Sequence, residues 1–334
     1  MINKPKRRFF IRTISGDNLS SITDVFAVPK RGSKSKIYVS NNGPTPSNES
    51  SRSTEPTQPE KPIKRSADRT SPRISSNEYG TEFAHDIHDS YREMEQETSV
   101  KPIYMEYQSY ITKEMRSVLI DWLVEVQLKF KLTPDTLHLT VNIIDRFLKE
   151  NEVIRQNFQL VGAACILIAS KYEEIHPVKL RNLVYICNGS YSKEKILNME
   201  TKILHAMNFR ITAPTAHSFS LLFMDVANAD KTMFLLSSYI LEGTLQSYTL
   251  LHYYPSQLSA ASIYISRNLL GKKAWTSKLR NFTMYNEDEI IPIARAILSA
   301  KKAKSKELQA VTKKYSSSKY GKVAEMFSLI GHKI

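Results

Sequence analysis

The stretch from Met115 to Val126 constrains the fold more than any other part of the chain. Its apolar residues recur three and four positions apart and cover most of a helical wheel, which predicts a central, buried helix. Arg116 falls between apolar residues on the wheel, on the side that faces the core. Because a buried guanidinium needs a carboxylate beside it, the sequence predicts an acidic partner for Arg116.

The pattern of apolar residues predicts an all-α protein. Period-two strand patterns are scarce, whereas apolar residues at helical spacing recur after Tyr79. The predicted helical stretches are residues 83–94, 115–130, 137–148, 159–172, 196–207, 219–226, 232–248, 257–270 and 290–303. With 334 residues in the chain, one large or two ordinary domains are expected.

A weak internal sequence repeat favours two copies of one helical unit. The segments that begin at Gln159 and at Gln257 both start with Gln-Leu, continue with small residues and then turn to large apolar ones. Small residues let neighbouring helix backbones approach closely, which is typical of the central helix of a bundle. The repeat therefore predicts two helical domains of similar size.

The first 78 residues have a different character. They hold eight of the fourteen prolines, and the tract 40–62 has almost no large apolar residue. Such a segment cannot offset its chain entropy by burial, which predicts a disordered N-terminal regulatory arm over residues 1–78. The other six prolines, at 102, 134, 177, 214, 255 and 292, are expected to separate helices.

Composition argues against several classes of function. The ten glycines are too far apart for a phosphate-cradling loop, and no membrane span or secretory signal is present, so no membrane association is expected. Cys165 and Cys187 belong to no Cys-x-x-Cys pair, which favours a reduced intracellular compartment. The formal charge of +14 is spread over separate clusters, which argues against direct nucleic-acid binding.

Four motifs in one order resemble the cyclin box. They lie at residues 115–126, 139–148, 159–162 and 169–174, and their amino-acid sequences are most similar to those of mitotic (G2/M) cyclins of B type. The resemblance extends from Phe83 to the C-terminus. It implies two tandem five-helix cyclin-box bundles, over residues 106–212 and 213–334, preceded by an N-terminal helix and connector over residues 79–105.

The resemblance also implies a function. A mitotic cyclin is a non-catalytic regulatory subunit that binds and activates a cyclin-dependent serine/threonine kinase, helps recruit its substrates and controls the G2/M transition. No cofactor is expected, and the expected location is the nucleus and cytoplasm. The alternative is a cyclin-fold transcription factor that binds DNA and the transcription machinery, which the basic charge favours.

Two sets of surface residues follow from the resemblance. The expected kinase-binding residues are Lys171, Glu200, Tyr172, Phe209, Ile168, Leu204 and Phe83. The expected groove for Arg-x-Leu peptides of substrates or inhibitors consists of Met115, Val118, Leu119, Trp122, Glu125 and Gln159. Core packing is the competing explanation for Ile168, Leu204 and Leu119. A lysine at the negative end of a helix dipole is the competing one for Lys171.

The family's internal ion pair corresponds to Arg116 and Asp145, which would lock the first two helices of the box together. In the arm, Arg8, Ile11 and Ile14 resemble a degradation signal read by a ubiquitin ligase, although Ile replaces the usual Leu. His85 and His88 lack a third distant ligand, so no metal site is expected.

Overall fold

The computed structural model describes residues 83–330, and their regular secondary structure is entirely helical. Thirteen α-helices lie within this range: α1 Ala84–Thr98, α2 Lys113–Phe130, α3 Pro134–Glu150, α4 Arg155–Glu173, α5 Leu180–Ile186, α6 Lys193–Ala206, α7 Ala216–Val226, α8 Lys231–Leu245, α9 Pro255–Leu269, α10 Ser277–Thr283, α11 Glu287–Ala303, α12 Ala310–Ser316 and α13 Val323–Ile330. Short 3₁₀ helices occupy Tyr104–Tyr107, Tyr248–His252 and Ser318–Tyr320.

Short polar side chains fix where many of these helices begin. Each accepts a hydrogen bond from a backbone N–H of the first turn, which has no partner within the helix. The residues that cap in this way are Thr112, Thr133, Ser192, Thr215, Asp230 and Thr276. Pro134 and Pro255 occupy the first position of α3 and α9, where a missing N–H costs nothing. Pro292 differs from the expectation because it lies inside α11.

The first bundle consists of α2 to α6, with α4 at its centre. Helix α4 packs against α2, α3 and α6, and its residues 158–170 are all buried. Gly162 lets α2 approach closely, since a Cβ at this position would lie 2.8 Å from Cδ1 of Leu119. The small residues of the sequence motif therefore do mark the central helix.

The second bundle consists of α7 to α11 and repeats this arrangement. Helix α9, which carries the second small-residue segment, packs against α7, α8 and α11. Its residues 259–263 are all buried. The prediction of an all-α fold with two tandem five-helix bundles is confirmed. Helices α5 and α10, of seven residues each, were not predicted from the sequence.

Two further helices after the second bundle hold the bundles together. Helix α12 packs against α2 of the first bundle and α8 of the second, and α13 packs against α8 and α12. At this junction Lys314 on α12 donates to Glu242 on α8, at 2.7 and 2.8 Å, and to the side-chain oxygen of Gln127 on α2. Both charged side chains are almost fully buried.

Helix α1 precedes the bundles and attaches to the second one. It packs against α7, and His88 on α1 lies among the rings of Phe219, Phe223 and Phe282. The buried carboxylate of Glu95 accepts hydrogen bonds from the backbone N–H of Ser256, at 3.0 Å, and from its hydroxyl, at 2.7 Å. The carboxylate thus joins the end of α1 to the first turn of α9.

Candidate functional site

Arg116 on α2 and Asp145 on α3 form a bidentate ion pair inside the first bundle. The Nε and Nη2 atoms of Arg116 donate to the two carboxylate oxygens at 2.7 and 2.6 Å. The side chains of Arg116 and Asp145 are 0% and 3% exposed. The structure thus brings together the two residues of the predicted pair.

The pair also has neutral partners. The remaining Nη1 of Arg116 donates to the backbone oxygen of Leu245, at the end of α8, at 2.9 Å. Tyr104 donates its phenol to Asp145 at 2.7 Å, and burial, together with this carboxylate, raises the pKa of Tyr104. The pair therefore connects the first bundle to the 3₁₀ helix before it and to the second bundle.

Lys171 and Glu200, predicted as kinase-binding residues, lie together on the surface of the first bundle. Lys171 is in the last turn of α4, and its Nζ donates to both carboxylate oxygens of Glu200 on α6, at 2.7 and 2.9 Å. The lysine side chain is 50% exposed and the glutamate side chain 9%. The carboxylate is therefore held by the protein, while the ammonium group is accessible to a partner.

Exposed aromatic residues accompany this pair. Tyr172 and Phe209 are 51% and 61% exposed. Phe209 follows α6 with a left-handed φ of 58°, and its N–H donates to the backbone oxygen of Leu204 at 2.9 Å. Arg146 on α3 donates to the backbone oxygen of Arg210 at 2.7 Å, which fixes the turn that presents Phe209.

The other predicted kinase-binding residues differ in how much of their side chains is exposed. Ile168 is buried in the core of the first bundle, and Leu204 is half-buried against it. For Ile168, core packing accounts for the position on its own. Phe83 is exposed and immediately precedes α1. The structure therefore offers Phe83, and part of Leu204, as accessible surface.

Two residues near this site were missed by the sequence reasoning. Leu197 is exposed on α6, three positions before Glu200 and seven before Leu204, so the three share one face. Glu174 follows directly after α4 and accepts hydrogen bonds from the N–H and hydroxyl of Thr133 and from the hydroxyl of Thr136. The spacing of Leu197 could have indicated it, whereas the capping by Glu174 is not visible in the sequence.

The six predicted groove residues are divided between surface and core. Met115, Val118 and Glu125 are partly exposed, whereas Leu119, Trp122 and Gln159 are buried. Since Trp122 has no exposed surface, a peptide could reach its ring only after neighbouring side chains moved. Burial raises the pKa of Glu125, and the charge of Asp121 on the same helix adds to this shift.

Asp121, which borders this surface on the helical wheel, is used inside the protein. It accepts hydrogen bonds from the side-chain amide of Gln246 at 2.6 Å and from the N–H of Ala310 at 3.0 Å. Of the acidic edge that the sequence presents on α2, Glu114 is exposed and Asp121 and Glu125 are partly exposed, but the carboxylate of Asp121 is already hydrogen-bonded within the protein.

Several other sequence features can be located briefly. Arg8, Ile11 and Ile14 lie outside the described residues. Within residues 83–330, no group of three or more His, Cys, Asp or Glu side chains is arranged to hold a metal ion. No helix in that range combines the length and apolar character that crossing a membrane requires. Cys165 and Cys187 are free and buried, and burial raises the pKa of both thiols.

Comparison with known families identifies the class of protein. The family described as "Cyclin, N-terminal domain" matches residues 86–212, and the family described as "Cyclin, C-terminal domain" matches residues 214–329. These two matches cover the bundles described above. The chain therefore belongs to the cyclin family.

Its curated relatives are B-type and G2/mitotic cyclins. The chain is 37% identical to Cyclin-B2-3 of Arabidopsis thaliana over 241 residues, which are 72% of this chain and 56% of the relative. It is 37% identical to G2/mitotic-specific cyclin-B of Spisula solidissima over 263 residues, 78% of this chain and 60% of that one. The chain thus spans less than two thirds of the length of these relatives. The predicted similarity to mitotic cyclins of B type is confirmed.

A solved structure shares the fold. The X-ray structure of a viral cyclin from herpesvirus saimiri superimposes with a TM-score of 0.58 at 19% identity, covering 64% of this chain and 97% of the viral one. At this identity the likeness concerns the arrangement of helices alone.

Proposed function

We propose that this chain is a regulatory subunit that binds and activates a cyclin-dependent serine/threonine kinase at the G2/M transition and has no catalytic activity of its own. The observation that carries the proposal is the similarity of both bundles to G2/mitotic cyclins. The surface around Lys171 and Glu200 supports it, because charged groups there stand beside exposed aromatic rings. Aromatic residues are enriched where proteins bind one another, and charged groups add specificity.

The proposed mechanism is a shift in the kinase's conformational equilibrium. A subunit that binds the active conformation more tightly than the inactive one populates the active one. Moving a kinase from 1% to 99% active requires a difference in affinity of about 5.5 kcal/mol. The cyclin needs no pocket for substrate or nucleotide, since the reacting groups belong to its partner.

The Lys171–Glu200 pair is suited to such a contact. In the free protein each charged group satisfies the other, so neither side chain has to be ordered when the partner arrives. The carboxylate of Glu200 is buried, so leaving it without a partner would be costly. Backbone N–H groups of a kinase could take over part of the pairing from Lys171 and avoid that cost.

The turn at Phe209 supports a preformed surface. A bulky residue with left-handed φ is strained by roughly 1–2 kcal/mol, and such strain persists only where surrounding contacts hold it. Two hydrogen bonds hold this turn: the N–H of Phe209 donates to the backbone oxygen of Leu204, and Arg146 donates to the backbone oxygen of Arg210. Phe209 would therefore meet a partner without first being ordered.

The proposal is tested by co-purification with cellular kinases and by phosphorylation of histone in the recovered complex. Lys171→Ala with Glu200→Ala should reduce both kinase recovery and histone phosphorylation. The matched control is Lys272→Ala with Asp230→Asn, which removes an ion pair of 2.6 Å in the second bundle while the Asn still caps α8. Full activation by the first double variant, or an equal loss in both, would contradict the proposed contact.

The partly exposed residues of α2 support a second contact, to Arg-x-Leu peptides of substrates or inhibitors. Because Trp122 is fully buried, its replacement would confound peptide binding with stability. Met115→Ala and Glu125→Gln are cleaner probes, and each should weaken such a peptide severalfold without changing kinase recovery. Unchanged peptide affinity in both variants would remove this part of the proposal.

The N-terminal arm extends the proposal to timed destruction and to location. Arg8→Ala with Ile11→Ala should lengthen the lifetime of the protein in mitotic extract if a ubiquitin ligase reads that segment. A tagged chain should be found in both nucleus and cytoplasm. An unchanged lifetime would show that the segment is not a degradation signal.

A further inference from the structure

A cleft of about 450 Å³ lies between the two bundles, away from Lys171 and Glu200. It is bounded by the first turns of α2, by α8 and the 3₁₀ helix after it, and by α11 with the segment that leads to α12. Its volume is within the range of about 300–1,000 Å³ that ligand sites occupy. The apolar side chains along its walls are Val118, Ile240, Leu250, Ile297, Leu308 and Val311. Val118 also belongs to the predicted peptide groove.

Two half-buried lysines, Lys301 and Lys304, line this cleft together with the exposed Lys113, and neither of the two forms an ion pair within residues 83–330. Lys301 is in the last turn of α11, with its Nζ 3.6 Å from the ring centroid of Tyr239 and 4.5 Å from that of Phe327. Lys304 follows directly after α11. Two cations therefore share the cleft with aromatic rings and with one another.

The protonation of Lys301 reflects this environment. Burial, together with the charge of Lys304, lowers the pKa of Lys301 to about 7. Burial also lowers the pKa of Lys304, although the carboxylate of Asp121 opposes this shift. Asp121 already accepts hydrogen bonds from two other groups. An anion placed in the cleft would restore the charge of Lys301.

Other ionisable groups face the cleft from every side. Helix α2 contributes Lys113 and Glu114, α8 contributes Tyr239, the 3₁₀ helix contributes Tyr248, and the segment before α12 contributes Glu307. The two glutamates are exposed. A hydrogen bond from the Thr112 side chain lowers the pKa of Glu114. Glu114 and Glu307 therefore lie at the exposed part of the lining. The two half-buried basic groups in the cleft are Lys301 and Lys304.

A free hydrogen-bond acceptor completes the lining. Oε1 of Gln246 is buried without a partner within residues 83–330, while its side-chain nitrogen donates to Asp121. A buried acceptor left unpaired is costly, and the backbone N–H of an extended peptide could supply the missing donor once the side chains that cover this oxygen move. We propose that this cleft docks an extended segment of a partner protein in which an acidic or phosphorylated side chain stands beside aliphatic ones. The site goes beyond the proposed function, because it requires no kinase.

Peptide pools test the proposal on the full chain alone. Three pools of blocked, fluorescein-labelled heptapeptides have a central Glu, phosphoserine or Gln, with Ala, Val, Leu and Ile mixed at the flanking positions. Fluorescence anisotropy near 0.15 M salt should give saturable binding of an anionic pool at least tenfold tighter than the Gln pool. Whichever of the Glu and phosphoserine pools binds more tightly identifies the anionic group.

Charge-matched variants locate the site. Lys301→Met with Lys304→Met should reduce the anionic pools to the affinity of the Gln pool. Methionine keeps a long apolar side chain against the rings, so this variant is expected to fold. Lys302→Met with Lys306→Met removes the same charge from exposed positions outside the cleft lining and should leave binding unchanged. Equal losses in the two variants would overturn the site, and so would equal affinity for all three pools or no saturable binding.

Proton uptake gives a second readout. Calorimetry at pH 8 in two buffers of different ionisation heat should detect protons taken up when the tighter anionic pool binds, because Lys301 is mostly neutral before binding and charged after it. Uptake should fall toward zero at pH 6 and disappear in Lys301→Met. Binding at pH 8 without proton uptake would overturn the role assigned to Lys301.

Discussion

Replacement of Asp145 by Ala should lower the free energy of unfolding by about 3–5 kcal/mol, because it leaves a buried charge without its partner. Arg116 would lose two charge-assisted hydrogen bonds and keep one, to the backbone oxygen of Leu245. Tyr104 would lose the acceptor of its phenol as well. Three donors that are buried in the protein would thus be left unpaired by one substitution.

The size of the effect is limited by water. A cavity of about 90 Å³ is lined by both Arg116 and Asp145. Its volume is enough for water to reach the abandoned guanidinium, since one water molecule occupies about 30 Å³ in the liquid. The cost should therefore remain within several kcal/mol, well below the order of 20 kcal/mol for a fully desolvated ion.

The assay is equilibrium unfolding in urea, followed by the helical signal in circular dichroism. Glu150→Ala, at an exposed position on the same helix, is the control and should change stability by less than about 0.5 kcal/mol. Arg116→Met combined with Asp145→Leu should recover most of the loss, because apolar residues of similar size can replace a buried pair. An Asp145→Ala protein as stable as the parent would refute the reasoning, and so would a double variant as damaged as the single one.

Three further outcomes follow from other buried positions. Gly162→Ala should destabilise the chain by about 1–3 kcal/mol in thermal unfolding, because the added Cβ would meet Leu119 at 2.8 Å. Lys314→Met should cost about 3 kcal/mol by the same assay, since the buried carboxylate of Glu242 would lose the partner of its ion pair. Burial lowers the pKa of His138 well below its ordinary value of 6.5, so the unfolded chain binds this proton first and stability should fall as the pH drops below about 6.5. The slope from this one group cannot exceed about 1.4 kcal/mol per pH unit, and His138→Gln should remove it in urea unfolding at pH 5–7.

The sequence was most informative where one residue conflicted with its surroundings. Arg116 stands among apolar positions on the helical wheel, so an acidic partner was required, and the resemblance to the cyclin box named Asp145. The two segments of small residues identified α4 and α9 as central helices because close packing permits little else there. The long helices were predicted correctly because their apolar residues recur at helical spacing.

The remaining features depend on contacts between distant parts of the chain. Lys314 and Glu242 lie 72 positions apart, and no spacing rule pairs them. Pro292 was expected to separate helices and instead lies inside α11, within the stretch 290–303 that the apolar spacing predicted as helical. The burial of Trp122 depends on tertiary packing, which the position of Trp122 on the helical wheel does not reveal.

The polar edge of α2, which the sequence suggested as a peptide surface, also contacts other parts of the protein. The contacts from α2 to the second bundle and α12 run from Arg116 to the oxygen of Leu245, from Ser117 to the oxygen of Gln246, from Asp121 to Gln246 and Ala310, and from Gln127 to Lys314. Much of the polar edge of α2 therefore joins the bundles. Since the same helix also forms part of the first core, a substitution in α2 that weakens peptide binding is evidence for a groove only if the free energy of unfolding is unchanged. Met115 and Glu125 meet that condition better than Trp122, because both keep exposed surface and neither takes part in these joining contacts.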